Sequence, residues 1–385
     1  MQLKRTFHPV GHGAFYTERI EGSDGSTFTV VFDCGRFETA KTGWSYYKYK
    51  AWIDNYINTS SGLRSGEDID ILFISHFHTD HIIGVDYLLK NYNVKKVVLP
   101  VISPILILDA FVGFRRRQPG FNYVTNFLEN CLSGDLSQKV KYVDVSEKSE
   151  KKEISISDFL RSQDSATIKD SISILIDRWY YKPFYRVDLQ KEIQISNKIS
   201  QTFPDVLDNK GIIDNQKLID KFKSVGPKPF KKIYEDVFGE KKHNSYSLTL
   251  FSGTQCKEVC RRKCHISTCD INSIEDVSNS NFCVVNCLYM GDYEALNSGL
   301  NALMNYYFEE WSKIGLFQVP HHGSEHNSDT HLYYDRERIC VISADSNDKY
   351  NHPDQPVLDA INQCNSIPII VSEHSKTRQE FIIRF

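Results

Sequence analysis

Short apolar runs separated by turn-forming residues dominate the first hundred positions. Residues 7–20 and 28–35 are rich in β-forming side chains, and the segment EGSDGS between them predicts a hairpin. Residues 69–75, IDILFIS, form a continuous apolar run, which is typical of a strand buried on both faces. The helical spacing of residues 82–92 and the apolar run of residues 94–100 extend this strand into a predicted β-loop-α-β unit.

Strand and helix patterns return in the last third of the chain. Strand character is found in the segments SYSLTLF, FCVVNCLYMGD, LFQVP, RICVISAD, IPIIVS and EFIIRF. Helices are predicted over residues 293–311 and near residues 356–364. Strands that alternate with helices at both ends of the chain predict a layered α/β architecture.

The middle of the chain has a different character. Residues 109–242 are polar and charged, carry few β signals and contain helix-like pieces, so they are interpreted as a long, mostly helical insertion. The predicted fold domain then comprises residues 1–108 and 243–385, with a second, cysteine-rich insertion over residues 254–282. The long insertion is also a candidate surface for a protein partner.

Basic residues flank this insertion. One reading is a solvated face partly balanced by Asp236 and Glu240, and the other is a contact with a phosphate backbone. The basic positions are Arg115, Arg116, Arg117, Lys221, Lys223, Lys228, Lys231, Lys232, Lys241 and Lys242.

Composition limits the class of protein. Of the 385 residues, 41% are hydrophobic and 12% aromatic, enough for a substantial core and unlike a disordered chain. A net charge of −3 gives no global attraction to nucleic acid or to an anionic membrane, so such binding requires a local basic patch. The first residues lack the apolar run of a signal peptide, and no segment has the length of a membrane helix. We therefore expect a cytoplasmic protein without a membrane partner, and its oligomeric state stays open.

Four metal-capable side chains occupy six positions directly after the IDILFIS strand. They are His76, His78, Asp80 and His81. Imidazole and carboxylate groups suit zinc, manganese and iron, and a loop at a strand end can direct alternate side chains to two centres. We expect His76 and His78 to hold one ion, and Asp80 and His81 the other. A chance cluster in a polar loop is the weaker interpretation.

This HxHxDH pattern resembles the signature of the metallo-β-lactamase superfamily. The resemblance implies an αββα sandwich, here with the large insertion, and two divalent metal ions such as zinc or manganese. It further implies that Asp33, in the segment FDCG, supports the metal-binding loop without itself binding metal. Asp292, in the segment MGD, corresponds to the carboxylate that bridges the two ions. Taken singly, each aspartate is an ordinary strand-end cap.

Within the superfamily, the sequence is similar to the hydrolase domain of the ComEC competence proteins and their soluble relatives. The similarity covers residues 1–108 and 243–385, and it rests on PVGHGAF with FDCG, on Asn244-x-x-Ser247-Leu248, on MGD, and on HHGS followed by Tyr350-x-His352-Pro353. Two features depart from that pattern. The chain lacks their transmembrane segments, so the resemblance implies no role in DNA uptake, and the two insertions have no counterpart.

The resemblance also implies further ligands. The superfamily usually supplies a third histidine before the bridging aspartate, and Asn244 occupies that place here, with His243 adjacent. Asn244 is favoured by position and His243 by chemistry. His352 is the candidate for the last ligand of the second ion.

Asp80, His321 and His322 are the candidate catalytic residues. A histidine beside a two-metal site can protonate a leaving group or bind a non-bridging oxygen, although one of the two histidines can instead be structural. Hydroxyl groups that can contact an oxyanion, or that simply form turns, are those of Ser324, Ser343 and Tyr350.

A cluster of cysteines offers a second metal site. One interpretation is a structural zinc ion bound by four thiolates, with His265, Cys283 and Cys287 as further candidates; free or redox-linked thiols are the alternative. Arg261, Arg262 and Lys263 make the cluster basic. The four cysteines are Cys256, Cys260, Cys264 and Cys269.

The function expected from these features is metal-dependent hydrolysis. The leading hypothesis is a phosphodiesterase or nuclease that acts on nucleic acid through a hydroxide bridging two metal ions. The alternatives are hydrolysis of a small phosphodiester such as a cyclic nucleotide, hydrolysis of a carboxylic ester or thioester, and a non-catalytic binding subunit of a multi-protein system. Fold alone does not decide among these activities.

Overall fold

The structure is a computed structural model. It describes residues 1–37, 46–112, 114, 119–145, 149–162, 167–239, 246–254, 265–268, 284–334, 336–346 and 351–384. The strands in these ranges are β1 (Gln2–Phe7), β2 (Phe15–Glu21), β3 (Thr27–Cys34), β4 (Asp68–Phe73), β5 (Asn93–Pro100), β6 (Val140–Val143), β7 (Lys151–Ser155), β8 (Thr167–Ile168), β9 (Ser171–Ile176), β10 (Trp179–Phe184), β11 (Thr249–Gly253), β12 (His265–Thr268), β13 (Asn286–Tyr289), β14 (Ile314–Gln318), β15 (Ile339–Ser343), β16 (Ile367–Val371) and β17 (Gln379–Arg384).

Helices connect many of these strands. The helices in the described ranges are α1 (Tyr46–Thr59), α2 (Thr79–Ile82), α3 (Val85–Asn91), α4 (Pro104–Val112), α5 (Pro119–Leu132), α6 (Ile156–Arg161), α7 (Leu189–Thr202), α8 (Asn215–Val225), α9 (Lys228–Phe238), α10 (Asn297–Tyr306), α11 (Phe308–Trp311) and α12 (Gln355–Gln363). None of the helices in this part of the chain combines the length and the apolar composition needed to cross a membrane.

The strands form two sheets. The first has the order β12-β17-β1-β2-β3-β4-β5-β6-β8, and the second has the order β16-β15-β14-β13-β11-β10-β9-β7. The predicted hairpin is present as β2 and β3, in which Glu21 pairs with Thr27 across the turn. The predicted β-loop-α-β unit is present as β4, α3 and β5, with β4 and β5 parallel. The expectation of a layered α/β architecture is confirmed.

The two sheets pack face to face around a buried ion pair. Arg5 on β1 is completely buried, and its Nε lies 2.6 Å from Glu18 Oε1 on β2. Across the interface, Tyr289 and Tyr181 donate hydrogen bonds of 2.8 and 2.7 Å to the two Glu18 oxygens, and Ser252 donates another of 2.6 Å. Because buried charges are tolerated only when they are paired and hydrogen-bonded, this network fixes the relative position of the sheets.

The central part of the chain contains the expected helices, and it also contributes strands to both sheets. Within residues 109–242, strands β6 and β8 extend the first sheet, and strands β7, β9 and β10 extend the second. The segment is therefore built into both sheets instead of lying outside them. Its helices α7 and α9 pack against each other and against α4. We refer to α4, α7 and α9 as the helical layer.

Candidate metal centre

The candidate site lies where strands of both sheets end. Asp33 is near the end of β3, and the loop from Ser75 to His81 follows β4. Asp292 follows β13, and His321 and His322 follow β14. The carboxyl ends of neighbouring parallel strands meet at one edge of a sheet, which is where open α/β sheets place their ligand sites.

Asp33 holds the loop that follows β4. Its carboxylate accepts hydrogen bonds from the Ser75 backbone N–H and hydroxyl, both 2.7 Å long, and lies 2.7 Å from His81 Nδ1. Gly35 lets this loop approach closely, because a Cβ atom at that position would lie 2.0 Å from the Asp80 carbonyl oxygen. The segment FDCG therefore supplies both the acceptor and the space that the loop requires.

A second set of contacts holds Asp292. Its backbone N–H donates to Ser247 Oγ at 3.0 Å, and Ser247 Oγ also lies 3.1 Å from His76 Nδ1. Buried Gln318 accepts hydrogen bonds from the backbone N–H groups of Met290 and Gly291 at 2.7 and 2.6 Å. These hydrogen bonds fix the backbone of the segment MGD independently of any ligand of its carboxylate.

His321 and His322 lie in an unusual backbone conformation. Their φ angles are 47° and 56°, in the left-handed region that non-glycine residues seldom adopt, at a cost of roughly 1–2 kcal/mol each. Gly323 continues the turn at φ 82°, and a Cβ atom there would lie 2.6 Å from Pro353 Cβ. Strain of this kind is concentrated at functional sites.

The side chains converge into two groups that share one carboxylate. The first group contains His76, His78 and Asp292, and the second contains Asp80, His81, Asp292 and His322. In each group the potential ligand atoms all lie within 4.8 Å of one another. Nitrogen and carboxylate ligands in this number and proximity suit divalent ions such as zinc or manganese.

The histidine tautomers fit metal binding. In each ring, one nitrogen is held by an outer acceptor: His76 Nδ1 by Ser247, His78 Nε2 by the Asp109 carbonyl oxygen at 3.1 Å, His81 Nδ1 by Asp33, and His322 Nδ1 by the Ser343 carbonyl oxygen at 2.8 Å. The other nitrogen of each ring points inward, toward the Asp292 carboxylate or toward the side chains next to it. An outer partner that fixes the tautomer in this way is typical of metal-binding histidines.

Two inward-facing nitrogen atoms support the same interpretation. Within the described residues, His81 Nε2 and His322 Nε2 are buried and make no hydrogen bond of suitable geometry. The nearest carboxylate oxygens are those of Asp292, 3.1 Å from His81 Nε2, and Asp80, 3.5 Å from His322 Nε2. A divalent ion is a partner that would satisfy both the nitrogens and the carboxylates.

The electrostatics of the site favour a bound cation. Burial alone would raise the pKa of Asp292, but His81, His321 and His76 outweigh it and hold that pKa well below its usual range. Burial alone would lower the pKa of His81, but Asp292, Asp33 and Asp80 outweigh it and raise that pKa well above its ordinary value. The Asp292 carboxyl group is therefore ionised in the neutral range, and its negative charge attracts a cation to the space between the groups.

Most of the residues expected at the site are brought together. His76, His78, Asp80, His81 and Asp292 form the two groups, and Asp33 contacts them from behind. His321 Nε2 lies 3.7 Å from Asp292 Oδ2, and Asn327 holds its Nδ1 at 2.5 Å.

His352 is placed differently from the expectation. Besides His81, the second group contains His322, whose ring is oriented by the Ser343 carbonyl oxygen, whereas His352 is in neither group. The His352 ring centroid lies 6.2 Å from that of His321 and 5.8 Å from that of His12. His352 thus lies beside the turn that carries His321.

Several expected residues lie outside the described part of the chain. They are Asn244, His243, Tyr350, Arg115–Arg117 and the cysteines Cys256, Cys260, Cys264, Cys269 and Cys283. Ser343 is described, and its hydroxyl contacts Tyr16 at 2.9 Å. Ser324 is buried, and its hydroxyl accepts a hydrogen bond from the His326 backbone N–H at 3.3 Å. Of the candidate zinc ligands, Cys287 is buried on β13 as a free thiol.

Three residues near the site were not predicted from the sequence. His12 packs against His322 with ring centroids 4.1 Å apart, Asp109 contacts His78, and Gln318 supports the loop before Asp292. His12 lies in the segment PVGHGAF, and its place between two glycines was an available signal. Asp109 and Gln318 carried no local signal, because their partners are distant in the sequence.

Part of the sequence matches a known protein family. Residues 20–171 match the family model of the metallo-β-lactamase superfamily, a span that includes Asp33 and the loop from His76 to His81. This match supports a place in that superfamily, and the two-sheet α/β architecture is consistent with its fold. No curated protein matches the sequence.

Two solved structures are similar in part. A long form RNase Z from yeast has 12% identity and a TM-score of 0.31; the match covers 90% of this chain and 37% of the RNase Z chain. This chain therefore spans well under half the length of that protein. Unliganded yeast PDE1 has 12% identity and a TM-score of 0.39, with coverage of 98% of this chain and 99% of the PDE1 chain.

Proposed function

We propose that the protein is a two-metal hydrolase that cleaves phosphodiester bonds. The observation that carries the proposal is the pair of ligand groups sharing Asp292, in which each histidine has one nitrogen held from outside and the other directed inward. Two ions held close together by a common carboxylate are the arrangement that hydrolases use for in-line displacement at phosphorus.

The side chains divide into holding and reacting roles. His76 and His78 would hold one ion, Asp80, His81 and His322 the other, and Asp292 would contact both. When bound, divalent ions activate water as a nucleophile and offset negative charge on the reacting oxygens.

His321 is the candidate proton donor. Its Nε2 atom faces the site, and Asn327 fixes the ring through Nδ1. The side chain retains 22% exposure, so a substrate oxygen can reach it, and a proton on Nε2 can pass to the leaving oxygen. The residue has a left-handed backbone conformation, and its Nε2 lies 3.7 Å from Asp292 Oδ2.

Nucleic acid is the substrate class that we propose first. The support is the resemblance of the HHGS and His352-Pro353 segments to the hydrolase domain of the ComEC proteins. Those two segments meet in space, because Gly323 packs on Pro353 and accepts a hydrogen bond of 3.0 Å from the Asp354 backbone N–H. Two segments thirty residues apart thus act as one structural unit beside the metal groups.

A small phosphodiester is the second candidate, and the ion pairs made by the basic residues of α8 and α9 favour it. Lys221 lies 2.6 Å from Asp205 and Lys231 lies 3.5 Å from Glu235, while Lys223 pairs with Glu129. Lysines neutralised in this way offer little to a phosphate backbone. The narrow exposure of the site, with the His78 and Asp80 side chains each 18% exposed, also suits a compact substrate.

The test is hydrolysis by purified protein reconstituted with Mn²⁺ or Zn²⁺. Substrates would be bis-p-nitrophenyl phosphate, single- and double-stranded DNA, RNA, cyclic nucleotides, a lactone and a thioester. We expect metal-dependent cleavage of phosphodiesters alone. Cleavage of the lactone or thioester without phosphodiester cleavage would replace the proposal with carboxylic-bond hydrolysis, and no cleavage with metal bound would support a binding role.

Substitutions then assign the activity to the site. His78→Ala and Asp80→Ala should each lower kcat/KM to background while circular dichroism shows a retained fold. His331→Ala is the matched control, because that histidine is 72% exposed and pairs with Asp329 away from both groups. Full activity in His78→Ala or Asp80→Ala would contradict the assignment.

A further inference from the structure

The helical layer contacts the metal groups through Asp109. Asp109 lies in α4 and is almost completely buried, and its carbonyl oxygen lies 3.1 Å from His78 Nε2. One of its carboxylate oxygens, Oδ2, lies 4.0 Å from the same nitrogen. The other, Oδ1, accepts a hydrogen bond of 2.5 Å from the hydroxyl of Tyr234, which lies in α9. A continuous series of contacts therefore runs from α9 through α4 to His78.

The geometry at His78 explains how this contact can affect metal binding. His78 Nδ1 lies 3.0 Å from His76 Nε2, so these two atoms point toward the same space. A histidine can ligate through Nδ1 only if the proton stays on Nε2, and a carbonyl acceptor at 3.1 Å keeps it there. A carboxylate a short distance behind that nitrogen makes the ring a stronger electron donor.

We propose that Asp109 is a positioning residue for the ion held by His76 and His78, and that Tyr234 fixes the Asp109 carboxylate in place. This inference rests on the proposed two-metal function. The helical layer then tunes one of the two metal positions, whereas Asp33 supports the other through His81. Each ion has its own acidic support, one from the helices and one from the first sheet.

A purely structural role for Asp109 predicts something different. Asp109 then serves only to satisfy the buried hydroxyl of Tyr234, and its replacement changes stability without changing metal affinity. The two roles are separated by measuring metal binding itself.

The experiment uses stepwise Zn²⁺ affinities of the full chain, measured by competition with a chromophoric chelator. Asp109→Asn preserves the side-chain shape and the backbone carbonyl group but removes the charge. We expect one Zn²⁺ step to weaken by about tenfold, the lower end of the effect of losing an outer partner of a metal-binding histidine, because the backbone carbonyl group still accepts from His78. The weakened step should be the one that His78→Ala abolishes, and the other step should stay unchanged.

A pair of tyrosine variants supplies the matched control. Tyr234→Phe should weaken the same step, by less than Asp109→Asn does. Tyr185→Phe removes a buried hydroxyl that, within the described residues, makes no hydrogen bond, and it should leave both steps unchanged.

The tautomer of His78 in the metal-free protein is an independent measurement. Long-range ¹H–¹⁵N spectra report which nitrogen of His78 carries the proton. We expect Nε2 in both the wild type and Asp109→Asn, because the backbone carbonyl group of residue 109 is retained; the loss of Zn²⁺ affinity then reflects the missing carboxylate charge and not a change of tautomer.

The outcomes separate the two proposals. Wild-type protein that binds fewer than two Zn²⁺ ions would contradict the proposed function. Wild-type protein that binds two, with Asp109→Asn unchanged in both steps, would overturn this inference alone. Equal effects of Tyr234→Phe and Tyr185→Phe on Zn²⁺ affinity would show that Tyr234 does not fix the Asp109 carboxylate for metal binding.

Discussion

A histidine can serve a metal ion only when its two ring nitrogens have different partners. Four rings at this site meet that requirement with three kinds of acceptor: the Ser247 hydroxyl, the Asp109 and Ser343 carbonyl groups, and the Asp33 carboxylate. An imidazole held by an outer acceptor is oriented before the metal arrives, so the ion meets ligands already in place. The identity of the outer acceptors therefore matters almost as much as that of the histidines.

Gly291 provides a residue-scale prediction. Its φ angle is 54°, and a Cβ atom there would lie 2.7 Å from Ser75 Cβ and Oγ. Gly291→Ala should therefore displace both Asp292 and the Ser75 hydroxyl. We expect kcat/KM to fall by about 100-fold, since a shift of about 1 Å at a reacting centre has that effect, and the metal content to fall below two ions per chain.

The control for Gly291→Ala is Gly25→Ala. Gly25 has a comparable φ of 82°, but nothing lies within 4 Å of the position that its Cβ would occupy. This variant carries the same backbone penalty without the clash, so it should lose stability and keep both activity and metal. Similar losses of activity in the two variants would show that backbone strain, and not contact with Ser75, explains the effect.

At the scale of elements, the same helical layer carries an unfavourable charge. Glu192, in the first turn of α7, is largely buried, and burial raises its pKa to about 7 despite a hydrogen bond of 3.1 Å from Ser103. The folded protein thus holds this proton more tightly than the unfolded chain, whose value is near 4.5. Ionisation of Glu192 therefore destabilises the fold progressively as the pH rises from about 4.5 to about 7.

Glu192→Gln should remove this penalty. Its amide oxygen can still accept the Ser103 hydrogen bond, and no charge is buried. We expect the free energy of unfolding at pH 8 to rise by about 1–3 kcal/mol, with little difference from the wild type near pH 4.5. Denaturant titrations at the two pH values measure the change.

Glu235→Gln on α9 is the comparison for Glu192→Gln. Its carboxylate lies at the helix surface, 3.5 Å from Lys231, so the free energy of unfolding should change by less than about 0.5 kcal/mol. An equal gain from both substitutions would show that overall charge, and not burial of Glu192, is responsible.

At the scale of the whole molecule, local sequence patterns predicted the elements whose residues are contiguous in the sequence. The IDILFIS run and the cluster that follows it are contiguous, and both were evident in the sequence. The strand β10 was not evident in the sequence, because its segment WYYKPF contains Lys182 and Pro183, which seldom occur inside strands. Lys182 is buried there through an ion pair of 3.0 Å with Glu310, a residue more than one hundred positions away.

The same limit applies to the metal ligands. His322 and His352 both follow strands and both precede turn residues, so the sequence offered no basis for choosing between them. The structure places His322 in the second group because Ser343, on the neighbouring strand, accepts a hydrogen bond from its Nδ1. Information of this kind comes from the packing of strands and not from the order of residues.

Metal removal gives the prediction that involves both sheets. Asp80 and His81 follow a strand of the first sheet, whereas Asp292 and His322 follow strands of the second. Ions held between them would connect the two sheets, and binding to the folded state alone stabilises it by about 2.7 kcal/mol when free metal is one hundred times the dissociation constant. We therefore expect a chelator to lower Tm by several degrees and added Zn²⁺ to restore it.

Asp80→Ala locates the origin of that stabilisation. This variant loses a ligand of the second group, so its Tm should respond to chelator much less than that of the wild type, whereas His331→Ala should respond fully. The Tm of metal-free Asp80→Ala should also lie below that of the metal-free wild type, since His81 and His322 lose the carboxylate that pairs with them. A chelator effect of equal size in Asp80→Ala and the wild type would mean that the stabilising ions bind elsewhere, and that the two sheets are not joined through Asp80 and Asp292.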